Sequence, residues 1–503
     1  MEAIRLQLSD LGYLAPELTL VITAIVAALL DLALPRTVSR QFAAWLSLAG
    51  VVVAFVFTAL ALNPAEPIAL LGQSYRIDDF GSLLKLVILG GTGLILFMSL
   101  GSTEREGIQH VGEYYYFFLP AALGAMIMAS SGDLVTLYAG LELLSITSYI
   151  LVAMRKRSMN ASEGAFKYLV LGSISSAVIL YGMSFLYGIS GSTNLLEINQ
   201  AIAGSIESAP ALIYIAFFLL LAGFGFKIAA APFHAWAPDV YQGAPTPVAA
   251  FLAVVSKGAG FAILFRTMYW VFGAFTLMNS ELQKDALLSL SVMAAIAMVV
   301  GNTMALRQTN VKRLLALSGI ANAGYLLVPI AAHFSLTHYA NYSEFLYYLI
   351  AYLFMNIGAF ALLMIVERSS GTEELKGFAG LYYRAPLTAV AAVLIVLSLA
   401  GIPVTAGFFG KLFIILGAMQ TQLYWLGAVM IVTSVISFYY YFGWIRQMFM
   451  RSDYESDEVK VAWPLGITVW VCALAGVALG AYPQGLLSAV DRIFSLAKDM
   501  FVM

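Results

Sequence analysis

Long apolar stretches alternate with short polar connections along the whole chain. Each stretch has about 20 mostly apolar residues, the length that crosses the hydrocarbon layer of a membrane. The stretches lack the alternating pattern of a transmembrane β-barrel, and lipid does not tolerate open sheet edges. The pattern therefore predicts an all-α integral membrane protein with about 14 transmembrane helices. They are expected near residues 14–34, 42–62, 80–100, 114–130, 133–153, 164–188, 211–231, 247–270, 286–306, 313–332, 345–366, 386–419, 424–448 and 464–482.

The composition agrees with a protein surrounded by lipid. Of the 503 residues, 61% are hydrophobic and 11% are charged, whereas soluble domains carry about 25% charged residues. The net charge of −2 excludes a nucleic-acid-binding protein, which needs a basic surface. One cysteine and four scattered histidines offer no ligand set for an iron–sulfur cluster, a haem or a metal cluster. We therefore expect no cofactor on this chain.

The connections between the stretches differ in their basic residues. Fifteen lysines and arginines lie in the connections that follow odd-numbered stretches, against five in the other connections and the two termini. Basic residues accumulate on the cytoplasmic side of membrane proteins. We therefore expect the odd-numbered connections in the cytoplasm and both termini on the outer side.

Two stretches contain residues that interrupt helices. Prolines cluster within residues 232–247, after Lys227, while Gly401 and Pro403 precede Lys411. Proline removes an amide donor and glycine tolerates a bend, so both stretches are expected to be broken. Broken helices in corresponding positions are typical of transporters with internal repeats, here stretches 4–8 and 9–13. The chain is divided accordingly into an N-terminal three-helix segment (1–110), a first repeat (111–270), a second repeat (271–450) and a C-terminal helix and tail (451–503).

Ionisable side chains inside the stretches are the candidate functional residues. Glu142 and Lys257 lie near the middle of their stretches, and Lys227 and Lys411 lie beside the two breaks. A charge at the bilayer centre costs about 2.5–3.5 kcal/mol even on a lenient scale, so such a residue has a partner or a task. Removal from water disfavours the charged forms of glutamate and lysine, and a nearby opposite charge restores them. We predict that Glu142 and Lys227 form a proton switch by pairing and separating.

Each candidate also has a structural interpretation. Glu142 is alternatively a static ion-pair partner, and Lys411 is alternatively a helix cap. Lys167 is a further candidate for proton transfer, although near the end of its stretch it can reach the membrane surface instead. His234 titrates near neutrality and is a candidate proton relay or a hydrogen-bonded structural histidine.

Three further charged residues are expected to have structural roles only. Lys85 and Arg266 are expected to extend their charged ends toward the membrane surface. Asp239 lies between prolines and is expected to cap the helix that follows it.

The segment PFHAWAPDVYQGAPTPVAAFLAVVSK, residues 232–257, resembles the signature of the antiporter-like subunits of respiratory complex I. Its PDVY and PTPV elements are most similar to the N-type subunit. AGLELLSITSYILVA around Glu142 and GIPVTAGFFGKLFI around Lys411 extend the resemblance over essentially the whole chain. Gln242 occupies a place where relatives often carry glutamate, so no role is inferred for that loop position. The resemblance implies fourteen helices, with two inverted five-helix repeats and one half-channel open to each side of the membrane.

The resemblance also implies roles for individual residues. It makes Lys227 the central proton carrier of the first half, with Glu142 influencing its protonation. It also implies that Lys167 corresponds to the lysine that the family carries in its sixth helix. Lys257 would connect inward along a hydrated axis to Lys411. The chain would be driven by quinone reduction in partner subunits, which hold flavin, iron–sulfur clusters and quinone, in a bacterial inner membrane. The electron donor would be NADH or ferredoxin.

Two other functions remain open from the sequence. The first is a cation/proton antiporter subunit of the Mrp type, although no acidic cluster suitable for a sodium ion is evident. The second is a proton-silent membrane scaffold in which the buried charges only fix the packing.

Overall fold

The protein is an almost entirely helical membrane protein. The computed structural model describes residues 10–35, 37–64, 66–104, 106–273, 281–332, 340–450, 459–495 and residue 499. One antiparallel hairpin, β1 (Ile68–Leu70) and β2 (Tyr75–Ile77), precedes the third helix. The helices are α1 (Ala15–Ala33), α2 (Gln41–Leu60), α3 (Asp79–Met98), α4 (Val111–Tyr116), α5 (Phe118–Ser130), α6 (Leu134–Val152), α7 (Met159–Ser190), α8 (Leu195–Ser205), α9 (Pro210–Lys227), α10 (Ala237–Gly243), α11 (Thr246–Trp270), α12 (Glu281–Ala305), α13 (Val311–Ala331), α14 (Asn341–Ser370), α15 (Pro386–Ala400), α16 (Ala406–Gln420), α17 (Tyr424–Phe449), α18 (Trp463–Ala481) and α19 (Pro483–Ile493).

The described helices confirm the predicted all-α membrane class. Twelve of them are long and apolar enough to cross a membrane. Two predicted stretches are each built from two shorter helices: α4 and α5 cover 114–130, and α15 and α16 cover 386–419. The number fourteen and the internal repeats stay predictions.

Helix α11, which carries Lys257, lies at the centre of the molecule with α13 and α14. In an apolar stretch of 18 residues, 100% of the residues are buried in α11 and in α13, and 89% are buried in α14. The corresponding stretches of α1 and α7 are only 22% and 28% buried. Helix α11 packs against α3, α5, α9 and α14. A helix surrounded by protein can hold polar groups away from lipid, so these central helices are where ionisable residues are expected to function.

Both predicted helix breaks are confirmed. Helix α9 ends at Lys227 and α10 begins at Ala237, and residues 401–405 separate α15 from α16. Gly401 has a φ of +85°, which a residue with a side chain rarely adopts. The sequence did not predict a third irregularity, the π-helical turn Leu252–Ser256 that directly precedes Lys257 in α11. Such turns are frequent at functional sites.

The expectations for Lys85 and Arg266 were wrong. Lys85 is only 3% exposed and forms an ion pair of 2.8 Å with Glu17, and Arg266 is 0% exposed. The Arg266 guanidinium binds both carboxylate oxygens of Asp78, at 2.9 and 3.0 Å. Both cations therefore lie inside the protein, paired with carboxylates from distant parts of the chain, and do not extend to the membrane surface.

Candidate functional site

Glu142 and Lys227 lie close together without forming an ion pair. Glu142 is half-buried in α6 and accepts a short hydrogen bond from Ser176 of α7. Lys227 is 6% exposed, and its Nζ donates to the hydroxyl of Ser145 at 2.8 Å. Ser145 follows Glu142 by three residues, and residues with that spacing are neighbours on a helix surface, about 5–6 Å apart. Within the described part of the chain, Lys227 therefore binds a neutral oxygen one turn from the carboxylate.

A glycine allows Lys227 to lie against α11. A Cβ at Gly260 would lie 3.3 Å from Cγ of Lys227 and 2.9 Å from Cγ2 of Ile228, so any larger residue would crowd this contact. Gly260 follows Lys257 by three residues on the same helix. The stem of Lys227 therefore crosses α11 one turn away from Lys257.

Lys257 also binds neutral oxygens only. It is 2% exposed, and its Nζ donates to the carbonyl oxygen of Gly319 in α13 at 2.6 Å and to the hydroxyl of Tyr352 in α14 at 3.3 Å. A Cβ at Gly319 would lie 2.9 Å from this Nζ and 3.0 Å from the Tyr352 hydroxyl. The absence of a side chain at Gly319 is therefore what lets the lysine reach the carbonyl.

Lys411 binds the end of the broken helix. It is 6% exposed, and its Nζ donates to the carbonyl oxygen of Ala400, the last residue of α15, at 3.2 Å. The break leaves this carbonyl without its helical partner, as at any helix C-terminus. The Nζ also lies 5.0 Å from the ring centroid of Tyr325. Gly401 adjoins the lysine, since a Cβ there would lie 3.3 Å from its Nζ.

A hydrogen-bonded set of hydroxyl and amide side chains begins at Ser318, next to Gly319, and reaches Tyr348, which packs on Gly410 beside Lys411. The Tyr348 hydroxyl donates to the Asn322 side chain at 2.5 Å, and the Asn322 amide donates to the Ser318 hydroxyl at 3.3 Å. Ser318 and Tyr441 share a hydrogen bond of 2.5 Å. Sequence reasoning missed these residues, although a helical period places Ser318, Asn322 and Tyr325 on one face of α13.

Lys167 lies in a separate ion-pair cluster. Its side chain is 39% exposed and contacts Asp239 and Glu163, each at 2.6 Å. Asp239 also binds Arg313 at 2.6 Å. Burial raises the pKa of Asp239, but the hydrogen bonds from Lys167 and Arg313 outweigh it and hold that pKa below its usual value. The expectation that Asp239 caps the following helix was wrong, because it lies within α10 and pairs with these cations.

His234 lies in the segment between α9 and α10. It is half-buried, and its Nδ1 makes no hydrogen bond within the described residues. Its neighbourhood holds no set of metal ligands: among the described residues, no three histidines, cysteines or carboxylates lie together in a way that would hold a metal ion.

Comparisons with known proteins identify relatives over the full length of the chain. The family model described as NADH:quinone oxidoreductase/Mrp antiporter, TM, matches residues 131–437. The NADH-quinone oxidoreductase subunit N of Paenibacillus sp. (strain JDR-2) is 52% identical over 520 residues, covering 100% of this chain and 99% of the relative. The subunit N of Brevibacillus brevis is 49% identical over 499 residues, covering 97% and 96%.

Solved structures share the fold. A chain in respiratory complex I from Thermus thermophilus is 30% identical, with a TM-score of 0.77, and the match covers 94% of this chain and 99% of that one. A chain in the Mrp complex from a Dietzia species has a TM-score of 0.81 at 18% identity, covering 97% of both chains. The second likeness is one of fold alone.

Proposed function

This chain belongs to the NADH-quinone oxidoreductase subunit N family, and from that premise we propose that it carries protons through Glu142, Lys227, Lys257 and Lys411. It is a membrane subunit of a redox-driven, proton-translocating oxidoreductase, assembled with other membrane and peripheral subunits. The flavin, the iron–sulfur clusters and the quinone are proposed to reside in those partners. The likeness to the Mrp chain extends to the fold and gives no separate support to a cation antiporter.

One contrast within the chain carries the proposal. Lys85 and Lys312 are also buried, but each binds a carboxylate, Glu17 at 2.8 Å and Glu373 at 2.7 Å. The three candidate carriers bind a serine hydroxyl and two backbone carbonyls instead. A buried ammonium without a counter-charge is costly, and such groups in membrane proteins are typically functional. The paired lysines have the contacts of structural residues, whereas Lys227 and Lys257 have the contacts expected of groups that gain and lose a proton. The contact of Lys411 with Ala400 fits a proton carrier and also the helix cap that the sequence left open.

Glu142 is proposed to control the proton on Lys227. In the conformation described, Ser145 holds the ammonium one turn from the carboxylate. Direct pairing at about 4 Å gives an attraction of about 4 kcal/mol at an effective dielectric constant of 20, and a separation of about 6 Å, one helical turn, still gives about 3 kcal/mol. Moving one charge against 100 mV costs about 2.3 kcal/mol. Exchange of Lys227 between Ser145 and Glu142 therefore changes the free energy of the protonated lysine by about 1 kcal/mol, and the switch supplies the whole cost only when the two side chains separate further.

The remaining expectations complete the proposal. Lys167 and His234 are proposed to assist proton transfer at the end of the first half nearer to the cytoplasm. The segments 111–270 and 271–450 are proposed to act as two inverted repeats, with both chain termini on the outer side of the cell membrane. The chemistry of electron transfer is left to the partner subunits.

Proton counting in the assembled complex tests the function. Lys227→Ala and Glu142→Gln are compared with Lys284→Ala, a change at an exposed lysine whose ion pair within the described residues is with the nearby Glu281. Complexes in sealed vesicles are supplied with NADH and quinone, and protons moved per electron are measured together with NADH oxidation. We expect both buried variants to lower the proton-to-electron ratio and Lys284→Ala to leave it unchanged. Normal ratios in both buried variants would support a proton-silent scaffold instead.

A further inference from the structure

Two buried hydroxyls between the candidate carriers make no hydrogen bond. Tyr168 of α7 is 1% exposed and Ser148 of α6 is 0% exposed. Neither hydroxyl oxygen has a partner in the part of the chain that the structure describes. Leaving such a group buried and unpaired is unfavourable, because it loses its hydrogen bonds to water without replacement. Their presence therefore needs an explanation beyond packing.

The position of these hydroxyls connects the first half of the site to α11. Ser148 follows Ser145, the residue that holds Lys227, by three positions on α6, so both serines face the same side of the helix. The Tyr168 hydroxyl lies beside the hydroxyls of Ser148 and Ser256. Ser256 ends the π-helical turn of α11 and directly precedes Lys257. Tyr168 therefore stands between a serine next to the Lys227 site and a serine next to Lys257.

The ring of Tyr168 is held by the segment that follows Lys227. It stacks on Trp236 with ring centroids 4.6 Å apart and an interplanar angle of 13°, and Tyr149 meets it edge-on at 4.7 Å. The indole N–H of Trp236 donates to the carbonyl oxygen of Phe226 at 3.1 Å. Phe226 precedes Lys227, so a displacement of the end of α9 would be transmitted through Trp236 to the ring of Tyr168.

We infer that Tyr168 is a proton-relay residue whose hydroxyl connects those of Ser148 and Ser256 and thereby passes protons between the Lys227 site and Lys257. In the conformation described, the three hydroxyls lie beside one another, but those of Tyr168 and Ser148 have no well-formed hydrogen bond within the described residues. When side-chain rotation aligns them, each hydroxyl accepts a proton from one neighbour and gives one to the next, so no charge stays on the tyrosine. This inference rests on the proposed function and adds the connection between its two halves.

An unpaired hydroxyl alone does not define a relay. Tyr114 of α4 is 0% exposed and also has a hydroxyl without a hydrogen bond in the described chain. It makes no contact with any of the candidate lysines that the structure describes. Tyr114 is therefore a matched control, because Tyr114→Phe and Tyr168→Phe remove the same atom from equally buried sites and only one of the two sites lies between the carriers.

The test compares Tyr168→Phe and Tyr114→Phe in the full oxidoreductase complex in sealed vesicles. Phenylalanine keeps the stacking on Trp236, so a purely structural role predicts unchanged or slightly improved assembly and pumping. We expect Tyr168→Phe to slow coupled proton transport about tenfold, less than the roughly 10²-fold minimum for a positioned proton-transfer group, because water can partly replace the hydroxyl. We also expect a larger slowing of turnover in D₂O than in the unsubstituted complex, and no change for Tyr114→Phe.

Ser148→Ala provides a second, independent test if Tyr168→Phe assembles poorly. It should slow coupled transport in the same direction and raise the same isotope effect. Transport by Tyr168→Phe equal to that of Tyr114→Phe, or by Ser148→Ala equal to that of the unsubstituted complex, would overturn the relay. Lys227→Ala, measured alongside, separates the two hypotheses: if it abolishes pumping while Tyr168→Phe does not, only the relay fails, and if it leaves pumping intact, the proposed function fails.

Discussion

Gly319→Ala is the smallest change that should disable Lys257. The added methyl group would lie 2.9 Å from Nζ of Lys257 and 3.0 Å from the Tyr352 hydroxyl, both shorter than ordinary contacts with carbon. Gly319 belongs to α13, whose apolar 18-residue stretch is 100% buried. The helix therefore has little freedom to move away from Lys257. The lysine must therefore shift by a few tenths of an ångström, which strains and weakens its hydrogen bond of 2.6 Å to the Gly319 carbonyl.

The size of the effect follows from the bond that is lost. A hydrogen bond to a charged group contributes about 1.5–3 kcal/mol. Since about 1.4 kcal/mol corresponds to a factor of ten, complete loss of the bond would make the protonated lysine about 10- to 150-fold less populated relative to its neutral form, which is the upper limit of the effect. If Lys257 must carry a proton in each cycle, coupled transport should slow by a comparable factor, while the redox sites in the partner subunits are untouched.

The assay measures NADH oxidation and proton uptake by the assembled complex in vesicles, with and without an uncoupler. Gly258→Ala is the control, because a Cβ there, next to Lys257 in α11, would meet only Leu349 at an ordinary 3.9 Å. We expect Gly319→Ala to lower the proton-to-electron ratio and Gly258→Ala to preserve it. Assembled Gly319→Ala complex that pumps normally would show that the contact of Lys257 with α13 has no part in proton transfer.

Two predictions concern the parts of the chain outside the proposed route. Lys85→Met leaves the buried Glu17 carboxylate without its ammonium partner and should destabilise the subunit by about 3–5 kcal/mol. The double variant, with Met at both positions, should recover most of that loss in a thermal unfolding assay. Equal stability of the single and double variants would contradict this prediction. Burial raises the pKa of Asp499 to about 6 from 3.8, and the Asp78 and Asp79 carboxylates add to the shift. The folded protein therefore binds this proton more tightly than the unfolded chain and loses stability as the pH rises from about 4 through 6. Protection of the α19 amides, measured as hydrogen-exchange rates corrected for the intrinsic pH dependence of exchange, should be greater near pH 5 than near pH 7.5. Asp499→Asn should remove that difference in protection, and an unchanged difference in the variant would assign it to another group.

The sequence was sufficient for the membrane class, the two breaks and the positions of the candidate lysines along their helices. These features depend on local chemistry: the length of an apolar stretch, the missing amide of proline and the distance of a residue from the stretch ends. The prediction that Glu142 and Lys227 are neighbours depends on tertiary structure. They lie close together, but Ser145 holds the ammonium in place of the carboxylate. Their role in proton transfer stays a prediction.

Depth along a helix does not reveal which direction a side chain faces. Lys85 and Arg266 lie within reach of the membrane surface by position, yet their helices turn them toward Glu17 and Asp78, which are distant in sequence. A periodic pattern shows which residues share a face of a helix, but it does not show which other helix packs against that face. The partner of a buried charge is therefore known only from the assembled structure. For the same reason the sequence did not single out Tyr168. It differs from other buried aromatic residues only because the fold brings Ser148 and Ser256 beside it.

The contacts of the lysines suggest how motion in a partner subunit reaches the protons. Lys257 and Lys411 bind backbone carbonyls, which neither titrate nor rotate away from the helix that carries them. The free energy of their protonated forms therefore depends on where one helix lies relative to another. A hydrogen bond of 2.6 Å is lost once the atoms separate beyond about 3.5 Å. A displacement of α13 relative to α11 of about one ångström would stretch this hydrogen bond past that limit wherever the lysine stem cannot follow, and would thus favour release of the proton on Lys257. Carboxylate partners would follow such a movement by rotating their side chains, and this is a physical reason why the lysines proposed to carry protons differ from Lys85, whose partner is a carboxylate.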